Sequence, residues 1–376
     1  MNSVRALRGT GSRLLAGLAA APARTASLAA VIVGILLPFW VGPYWLSALV
    51  WVLIFALGAL GLDVLTGRTG QISLGHAFFL SIGAYTGAVL GLTLHLSALL
   101  WIPAGGVAAG IVGGLVAPTA LRLKGLYLAI VSIGLVYIGQ HIFTNVAYLS
   151  GGPGGRAMPA PTFGSLSFAR GLSIGPVFID ENGLYYYLAF VLLALAMLFV
   201  RNLGRSHLGR SMTAVRDGEL AGAVLGVNVA RTKITAFVVS SCIAGVAGAL
   251  YGSYLNFATP GQFDLVLSVQ FVAMIIVGGM GSLWGPVLGA LFVWGLQSEL
   301  DNLAGSLPFL QGGTHTTGMP VGDAAAVVYG LLLIVFLLVE PRGVVGLGHR
   351  IALLRRRRRV LQSAPDMVSS VTSSSG

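Results

Sequence analysis

Histidine and lysine are the side chains of this sequence that could support metal, acid–base or nucleotide chemistry. The six histidines show no HExxH or similar ligand spacing, and the one GxSxG match, GLSIG at 171–175, lies in a Gly- and Pro-rich stretch and not at the strand-to-helix turn that a nucleophile motif needs. A phosphate-binding P-loop requires Gly-Lys-Ser/Thr, but the two lysines, Lys124 and Lys233, follow Leu123 and Thr232. We therefore expect no ATP site of this kind, no catalytic site, and neither metal nor cofactor bound by this chain.

The charged stretch 204–237 lies between two long apolar segments and reads GRSHLGRSMTAVRDGELAGAVLGVNVARTKITAF. Its composition predicts a helix outside the membrane, where small residues let a partner protein approach and charges set the register of the contact. The predicted contact residues are Gly209, Arg210, Ala214, Arg216, Asp217, Glu219, Ala221, Gly222 and Gly226. The alternative is a loop whose basic residues only orient the chain in the membrane.

Polar residues inside apolar runs form a second group of candidates, because each needs a hydrogen-bond partner or water there. They could contact a solute that crosses the membrane, or they could form hydrogen bonds between helices. These residues are Gln71, Ser73, His76, Gln140, Asn145 and Gln270, the first three entering one predicted span together. Asp63, near the end of its span, is expected to pair with Arg68 or Arg122.

The composition of the chain indicates the kind of secondary structure that holds these residues in place. Hydrophobic residues make up 56% of the 376 and charged residues 9%, too few charges to cover a soluble domain. Apolar runs long enough to cross about 30 Å of hydrocarbon predict an all-α polytopic membrane protein. We predict about ten membrane-embedded helices, at 27–43, 45–65, 72–94, 97–121, 126–148, 184–200, 234–256, 264–280, 283–299 and 324–340. One or both of the helices that flank Gly278 to Trp284 are expected to be short or re-entrant.

Basic residues near span ends are retained on the cytoplasmic side. With ten spans and the N-terminus inside, all of the 22 basic residues except Arg156 and Arg170 fall on that side. Both termini are therefore predicted to be cytoplasmic. Because the basic residues are scattered over loops, the net charge of +11 does not indicate a nucleic-acid partner. The run 355–359 indicates contact with anionic membrane lipid.

Three regions follow from this organisation: a basic cytoplasmic segment at 1–26, a transmembrane domain at 27–348, and a basic, disordered tail at 349–376. Within the domain, the Gly- and Pro-rich residues 150–183 predict an external ordered loop or short strands, and 201–233 a cytoplasmic coupling segment. Glycines inside the spans predict close helix packing, since small residues let helices approach in lipid.

Six stretches together resemble the LivM-type permease family of branched-chain amino acid ABC importers, in the expected order over most of 45–348. They are TGRTGQISLGHAFFLSIGAY (66–85), LRLKGLYLAIVSIG (121–134), SGGPGG (150–155), 206–252, GGMGSLWGPVLG (278–289) and EPRGVVGLG (340–348). Against the family's coupling motif, Leu220-Ala221-Gly222 replaces Glu-Ala-Ala and Gly226 matches the glycine. The leading Glu is displaced to Glu219, and the later Ile-x-Leu-Pro is missing.

The resemblance implies a multi-pass subunit of the bacterial inner membrane that moves branched-chain or similar amino acids inward by alternating access. It implies four kinds of partner: a LivH-type permease, two ATP-binding cassette subunits that hold ATP and Mg, an extracytoplasmic solute-binding protein and membrane lipid. A permease for urea, short amides or another small solute is an alternative within the family. An ATP-independent channel or facilitator is a competing class, and a membrane enzyme is weakened by the missing catalytic grouping.

Overall fold

A computed structural model describes residues 34–121, 123, 125–164, 166–174 and 177–306, with single positions at 330, 331, 334, 338 and 343. Seven helices of this part are long and apolar enough to cross a membrane: Pro43–Thr69, His76–Thr93, Ala98–Thr119, Tyr127–Asn145, Glu181–Arg205, Val229–Tyr254 and Pro260–Gly278. The predicted span at 283–299 corresponds to the helix Gly285–Ser306, in which the apolar stretch is Gly285–Leu296. Of the span predicted at 27–43, residues 34–43 are described, with a 3₁₀ helix at Leu37–Phe39, and most of the span predicted at 324–340 lies outside the described residues. The all-α polytopic class is confirmed, while the count of ten stays a prediction.

The helices have the following bounds: α1 Pro43–Thr69, α2 His76–Ala88, α3 Ala98–Leu121, α4 Leu126–Asn145, α5 Glu181–Arg205, α6 His207–Asp217, α7 Glu219–Val224, α8 Val229–Tyr254, α9 Leu265–Gly278 and α10 Gly285–Ser306. A π-helical turn, Val89–Thr93, extends α2. Helix α8 packs along α1, α2 and α3, and α1 also contacts α5, α9 and α10. Helices α1 and α8 are thus the centre of the bundle. Helices α3, α4 and α5 keep large apolar side chains exposed on their outer faces, as lipid contact requires.

The contacts among α2, α3 and α8 depend on glycine. A Cβ atom on Gly105 would lie 2.8 Å from the Gly83 carbonyl oxygen, and one on Gly245 would lie 2.5 Å from the Gly105 oxygen. A Cβ on Gly248 would overlap the Leu80 carbonyl group. The close packing predicted from the glycines within the spans is therefore confirmed.

Residues 150–183 form short strands, as predicted. The strands are β1 Arg156–Ala157, β2 Thr162–Phe163, β3 Leu166–Ser167, β4 Leu172–Ile174 and β5 Val177–Ile179, with β6 at Phe257–Ala258 beyond α8. They pair antiparallel as β1–β6, β2–β3 and β4–β5. The segment ends where the Asp180 carboxylate accepts a hydrogen bond from the Gly183 N–H at 2.9 Å and caps α5.

The span predicted at 72–94 begins later than expected. Helix α1 continues to Thr69, where Gly70 ends it in a left-handed conformation with φ +72°, and α2 starts only at His76. Gln71 and Ser73 therefore lie in a non-helical connection and not inside the helix. The sequence prediction was wrong here because Ile72 and Leu74 are apolar, and hydropathy does not register the non-helical backbone that follows Gly70.

Candidate coupling and translocation sites

Helices α6 and α7 form most of the predicted coupling segment 201–233, and the predicted helix is confirmed as a pair of helices. The Ser206 hydroxyl caps α6 by accepting a hydrogen bond from the Gly209 N–H at 3.2 Å. Gly209 is buried against the end of α5, where a side chain would overlap backbone. Met212 and Val215 are buried on the same side. One face of α6 therefore rests on the membrane bundle.

Helix α7 packs back onto α6 and ends in a Schellman motif. Gly222 is buried, and a Cβ atom there would lie 3.5 Å from the Ala214 carbonyl oxygen. The Val227 N–H donates to the Gly222 carbonyl at 3.0 Å, and the Gly226 N–H donates to the Ala223 carbonyl at 3.0 Å. Gly226 has φ +82°, which glycine adopts without strain. Gly226 thus terminates α7, a role that the motif comparison did not indicate.

The exposed surface of α7 is apolar. Leu220, Val224 and Leu225 are 83%, 88% and 79% exposed, and we call these three residues the apolar patch. Ala221, also exposed, lies in the same helix. Arg210, on α6, is exposed and donates from Nη1 to the Arg205 carbonyl at 3.0 Å. Large apolar side chains are thus exposed on the same segment as charged ones.

Arg216 is directed at the membrane bundle. Its Nη1 donates to the Gly67 carbonyl oxygen in α1 at 2.7 Å. A Cβ atom on Gly281, in the turn between α9 and α10, would lie 2.9 Å from the same nitrogen. Asp217 approaches Arg216 Nε at 3.9 Å, and its side chain is 68% exposed. Arg216 therefore connects α6 to α1 and to the α9–α10 turn.

A second connection joins the start of α7 to α8. Lys233 Nζ lies 2.5 Å from Glu219 Oε1, and the two side chains are 5% and 33% exposed. Lys233 was not among the predicted site residues, because sequence alone treated it as one more basic residue near a span end. Its position within the apolar-flanked stretch RTKITAF was the available signal, since a buried lysine needs a carboxylate partner.

The carboxylate of Asp63 is fully buried in α1. Its Oδ1 accepts a hydrogen bond from the Gly281 N–H at 2.7 Å. Arg68 and Arg216 attract it electrostatically, but Asp63 Oδ2 and Arg68 Nε have no hydrogen-bond partner in the described part of the chain. Asp63 is therefore attracted electrostatically by Arg68, as expected, but Asp63 Oδ2 and Arg68 Nε do not form a hydrogen bond with each other. Arg122 lies outside the described residues.

The first three candidates for solute contact are buried and make hydrogen bonds within the chain. Gln71 Nε2 donates to Thr69 Oγ1 at 3.1 Å, and Ser73 Oγ accepts from the Gly75 N–H at 3.3 Å. His76 Nε2 lies 2.8 Å from the carbonyl oxygen of Gly58 in α1, and its ring packs edge-on against Phe271 of α9. These contacts favour the interhelical alternative for His76.

Two serines that sequence analysis missed hold this region in place. Ser132 Oγ on α4 accepts from the Leu74 N–H at 2.8 Å, and Ser268 Oγ on α9 accepts from the Ala77 N–H at 3.0 Å. Both serines are buried. The N–H groups at a helix start need such acceptors, but nothing in the sequence specifies which serine supplies them.

The other three candidates lie apart from this buried group. Gln140 and Asn145 are on α4, half-buried and exposed respectively, and Asn145 Nδ2 donates to the His141 carbonyl at 2.8 Å. Gln270 is half-buried on α9. The structure does not bring the six candidates into one site.

The described residues form a bundle of apolar helices. Helices α6 and α7 lie between the spans α5 and α8, and the strands of 150–183 lie between the spans α4 and α5. This architecture defines a polytopic α-helical membrane protein. Residues 44–337 match the family described as branched-chain amino acid transport system / permease component. The chain therefore belongs to this family of transport permeases, and the resemblance inferred from its motifs is confirmed. It is accordingly a multi-pass protein of the inner membrane.

Individual relatives agree with this assignment. The high-affinity branched-chain amino acid transport permease LivM of Escherichia coli K12 is 34% identical over 282 residues, which is 71% of this chain and 66% of the relative. LivM of Salmonella typhimurium is 34% identical over 279 residues, with the same coverage. LivH of E. coli K12 is 25% identical over 307 residues, 78% of this chain and 91% of the relative. The chain thus spans just under two thirds of the LivM relatives, and no solved structure matches it.

Proposed function

We propose that this chain is a permease subunit of an ATP-binding cassette importer that moves branched-chain or similar amino acids inward by alternating access. Its partners are a LivH-type permease, two cassette subunits that bind and hydrolyse ATP with Mg, and an extracytoplasmic solute-binding protein. Family membership and the names of the LivM and LivH relatives support the proposal. The missing P-loop lysine requires that ATP be bound on another chain.

The apolar patch is the observation that carries this function. Three large apolar side chains on a segment flanked by charges are expected to be covered by another protein, because water contact is unfavourable for them. The exposed Arg210 and Arg231 lie on the same segment. We therefore assign the patch to a groove on the cassette subunit with an apolar floor and an acidic rim.

The nine predicted coupling residues divide into two roles in this proposal. Arg210, Asp217 and Ala221 are exposed and contribute to the docking surface. The others hold α6 and α7 together or against the bundle: Gly209, Ala214, Arg216, Glu219, Gly222 and Gly226. A push on α7 then reaches α1 and α8 through Arg216 and Glu219.

For the solute path, we favour the polar residues outside the buried group. An exposed amide at membrane depth is unfavourable against lipid, so it is expected to face water or another protein. Asn145 on α4 meets this condition, with Gln140 one turn earlier and Gln270 on α9 half-buried. We propose that they face the aqueous path formed with the LivH-type partner.

The docking role can be tested with the double variant Leu220→Asp, Val224→Asp. Two carboxylates in an apolar groove should weaken association by about 1–3 kcal/mol each, or roughly tenfold or more. Ala230→Asp is the matched control, because Ala230 is exposed at the start of α8 and outside the patch. Co-purification of the cassette subunit and uptake of leucine, with urea as comparison solute, should both fall in the double variant alone.

Full co-purification and uptake in the double variant would contradict docking through α7. Leucine uptake that needs no cassette subunit would support a facilitator instead. Urea uptake in place of leucine uptake would change the cargo.

Orientation can be tested by thiol labelling after Cys242→Ala. A cysteine at Gly154 should react with an impermeant reagent from outside, and one at Ala230 only from inside. Both positions are exposed. Labelling of Ala230→Cys from outside would reverse the orientation and exclude docking of a cytoplasmic ATPase there.

A further inference from the structure

Asp63 is a buried acid whose contacts leave it free to change partner. It lies within the last two turns of α1, which ends at Thr69. Oδ1 is bonded to the Gly281 N–H, while Oδ2 has no hydrogen-bond partner in the described part of the chain. A buried carboxylate is strongly unfavourable unless cations and donors surround it. The stability of the buried Asp63 carboxylate therefore depends on Arg68 and Arg216, the two cations that attract it.

Arg216 is the member of this group that belongs to the coupling segment. It donates to the carbonyl of Gly67, one helical turn from Asp63. Glycine is needed at this position, because a Cβ atom on Gly67 would lie 2.5 Å from the Gly281 nitrogen and would overlap Asp63 Oδ1. The glycine at position 67 thus lets the α9–α10 turn pack against the end of α1, where Arg216 of α6 also donates its hydrogen bond.

The turn at 279–284 interrupts regular structure within the membrane domain. Helix α9 ends at Gly278, and the next helix, α10, begins only at Gly285. Ser282 Oγ donates to the Gly279 carbonyl at 3.1 Å and accepts from the Gly285 N–H at 2.8 Å. Asp63, which lies outside the turn, accepts a hydrogen bond from the Gly281 N–H within it. Met280, also in the turn, is 52% exposed.

We propose that Arg216, the Gly67 carbonyl and Asp63 form a linkage that carries displacement of α6 into the α9–α10 turn, making this turn a moving part of the transport cycle. The inference rests on the proposed function, because the displacement comes from the cassette subunit. When α6 shifts, Arg216 leaves Gly67 and Asp63 loses a compensating cation. The carboxylate then realigns towards Arg68, whose Nε has no hydrogen-bond partner among the described residues, and the Gly281 N–H is released.

The linkage can be tested in the complete importer with a reporter on the turn. Met280→Cys is introduced after Cys242→Ala, and its rate of reaction with a small maleimide is measured with and without a non-hydrolysable ATP analogue. We expect nucleotide to change this rate several-fold. Arg216→Gln and Asp63→Asn should each abolish the change, because they remove charge and leave the bundle packed.

Asn at position 63 keeps an oxygen that can accept from Gly281, so its effect isolates charge from the hydrogen bond. Arg201→Gln is the matched control, since Arg201 is an exposed arginine near the end of α5 and outside the linkage. It should retain the full nucleotide response. Solute moved per ATP hydrolysed should fall in the two linkage variants while cassette subunits still co-purify.

A nucleotide response that persists in Arg216→Gln and in Asp63→Asn would overturn the linkage. So would a parent importer that binds its cassette subunit and transports but shows no response at Met280→Cys. Failure of the parent chain to bind any cassette subunit would instead overturn the proposed function. If Asp63→Asn does not fold, Arg216→Gln decides alone, because its side chain is 46% exposed.

Discussion

The two ends of α8 are held by different kinds of contact. At the end near Tyr254, neutral hydrogen bonds dominate: Ser253 Oγ donates to the Pro159 carbonyl at 2.7 Å, and Tyr185 Oη donates to the Ser253 carbonyl at 2.9 Å. Tyr254 Oη also donates to Asn182 Oδ1 at 2.9 Å. These neutral hydrogen bonds join α8 to three different residues and fix the position of this end of the helix. None of them involves a charged group that a charged partner could bind instead.

The other end of α8 is connected to the coupling segment by the ion pair of Lys233 with Glu219. Arg216 makes a second charged contact nearby, to the Gly67 carbonyl. Charge-assisted hydrogen bonds are stronger than neutral ones, but their energy depends on the other charges nearby, so a charged partner that approaches can change them. We therefore expect the end near Tyr254 to stay rigid and the end near Val229 to move.

The largest effect is expected in the body of α8, where the helix packs closely against α2. Gly248→Ala would place a methyl group into the Leu80 carbonyl, and backbone cannot move aside as a side chain can. We expect a loss of about 3 kcal/mol or more and little monodisperse protein in detergent. The control is Gly110→Ala, where the added atom would meet Cys242 Cβ at 3.4 Å, an ordinary contact. Equal yields of the two variants would contradict this packing.

The next effect is expected from breaking the ion pair. Glu219→Gln leaves the buried Lys233 ammonium without its carboxylate, and partial exposure of Glu219 limits the expected loss to about 1–3 kcal/mol. The double variant Lys233→Met, Glu219→Gln should recover thermal stability but not ATP-coupled uptake. Recovery of both would show that the pair serves stability only and that the two ends of α8 do not differ in function.

A smaller effect is expected at the neutral end. Tyr185→Phe removes the donor to Ser253 and should cost about 1 kcal/mol, measured as thermal stability in detergent. Uptake per folded molecule should not change. Tyr148→Phe is the control, because Tyr148 is 81% exposed. A fall in ATP coupling in Tyr185→Phe would remove the distinction between the two ends.

The smallest effect is expected at Arg156. Its Nη2 donates to Thr93 Oγ1 at 2.9 Å and its Nη1 to the Tyr148 carbonyl at 2.9 Å, both in an exposed setting. Arg156→Gln should therefore cost below about 1 kcal/mol. Limited proteolysis of 150–183 should be slightly faster, with uptake unchanged. Strong loss of uptake would mean that this segment also takes part in movement.

Much of this arrangement was predictable from the sequence, because it depends on local composition. Hydropathy located seven spans, glycine and proline content indicated the strands of 150–183, and charge indicated the helices of 201–233. Gln71 and Ser73 lie outside the helix that was predicted to contain them, because α2 starts only at His76 and hydropathy does not show that residues 70–75 are non-helical. The apolar patch was not predicted, because charges and small residues indicate a contact surface in the sequence, whereas the exposed side chains of α7 include the large apolar Leu220 and Val224.

The sequence by itself determined the class of the protein, its motifs and family, and the charged helical segment at 201–233. These properties follow from hydrophobicity and from short motifs, which act over one or two helical turns. Tertiary structure alone decided that Asp63 meets Gly281, that Arg216 turns towards Gly67, and that Lys233 pairs with Glu219. The first two contacts join residues more than a hundred positions apart, and all three depend on how the helices pack around glycines. No local pattern encodes such a meeting, because only the packed bundle brings those atoms within reach.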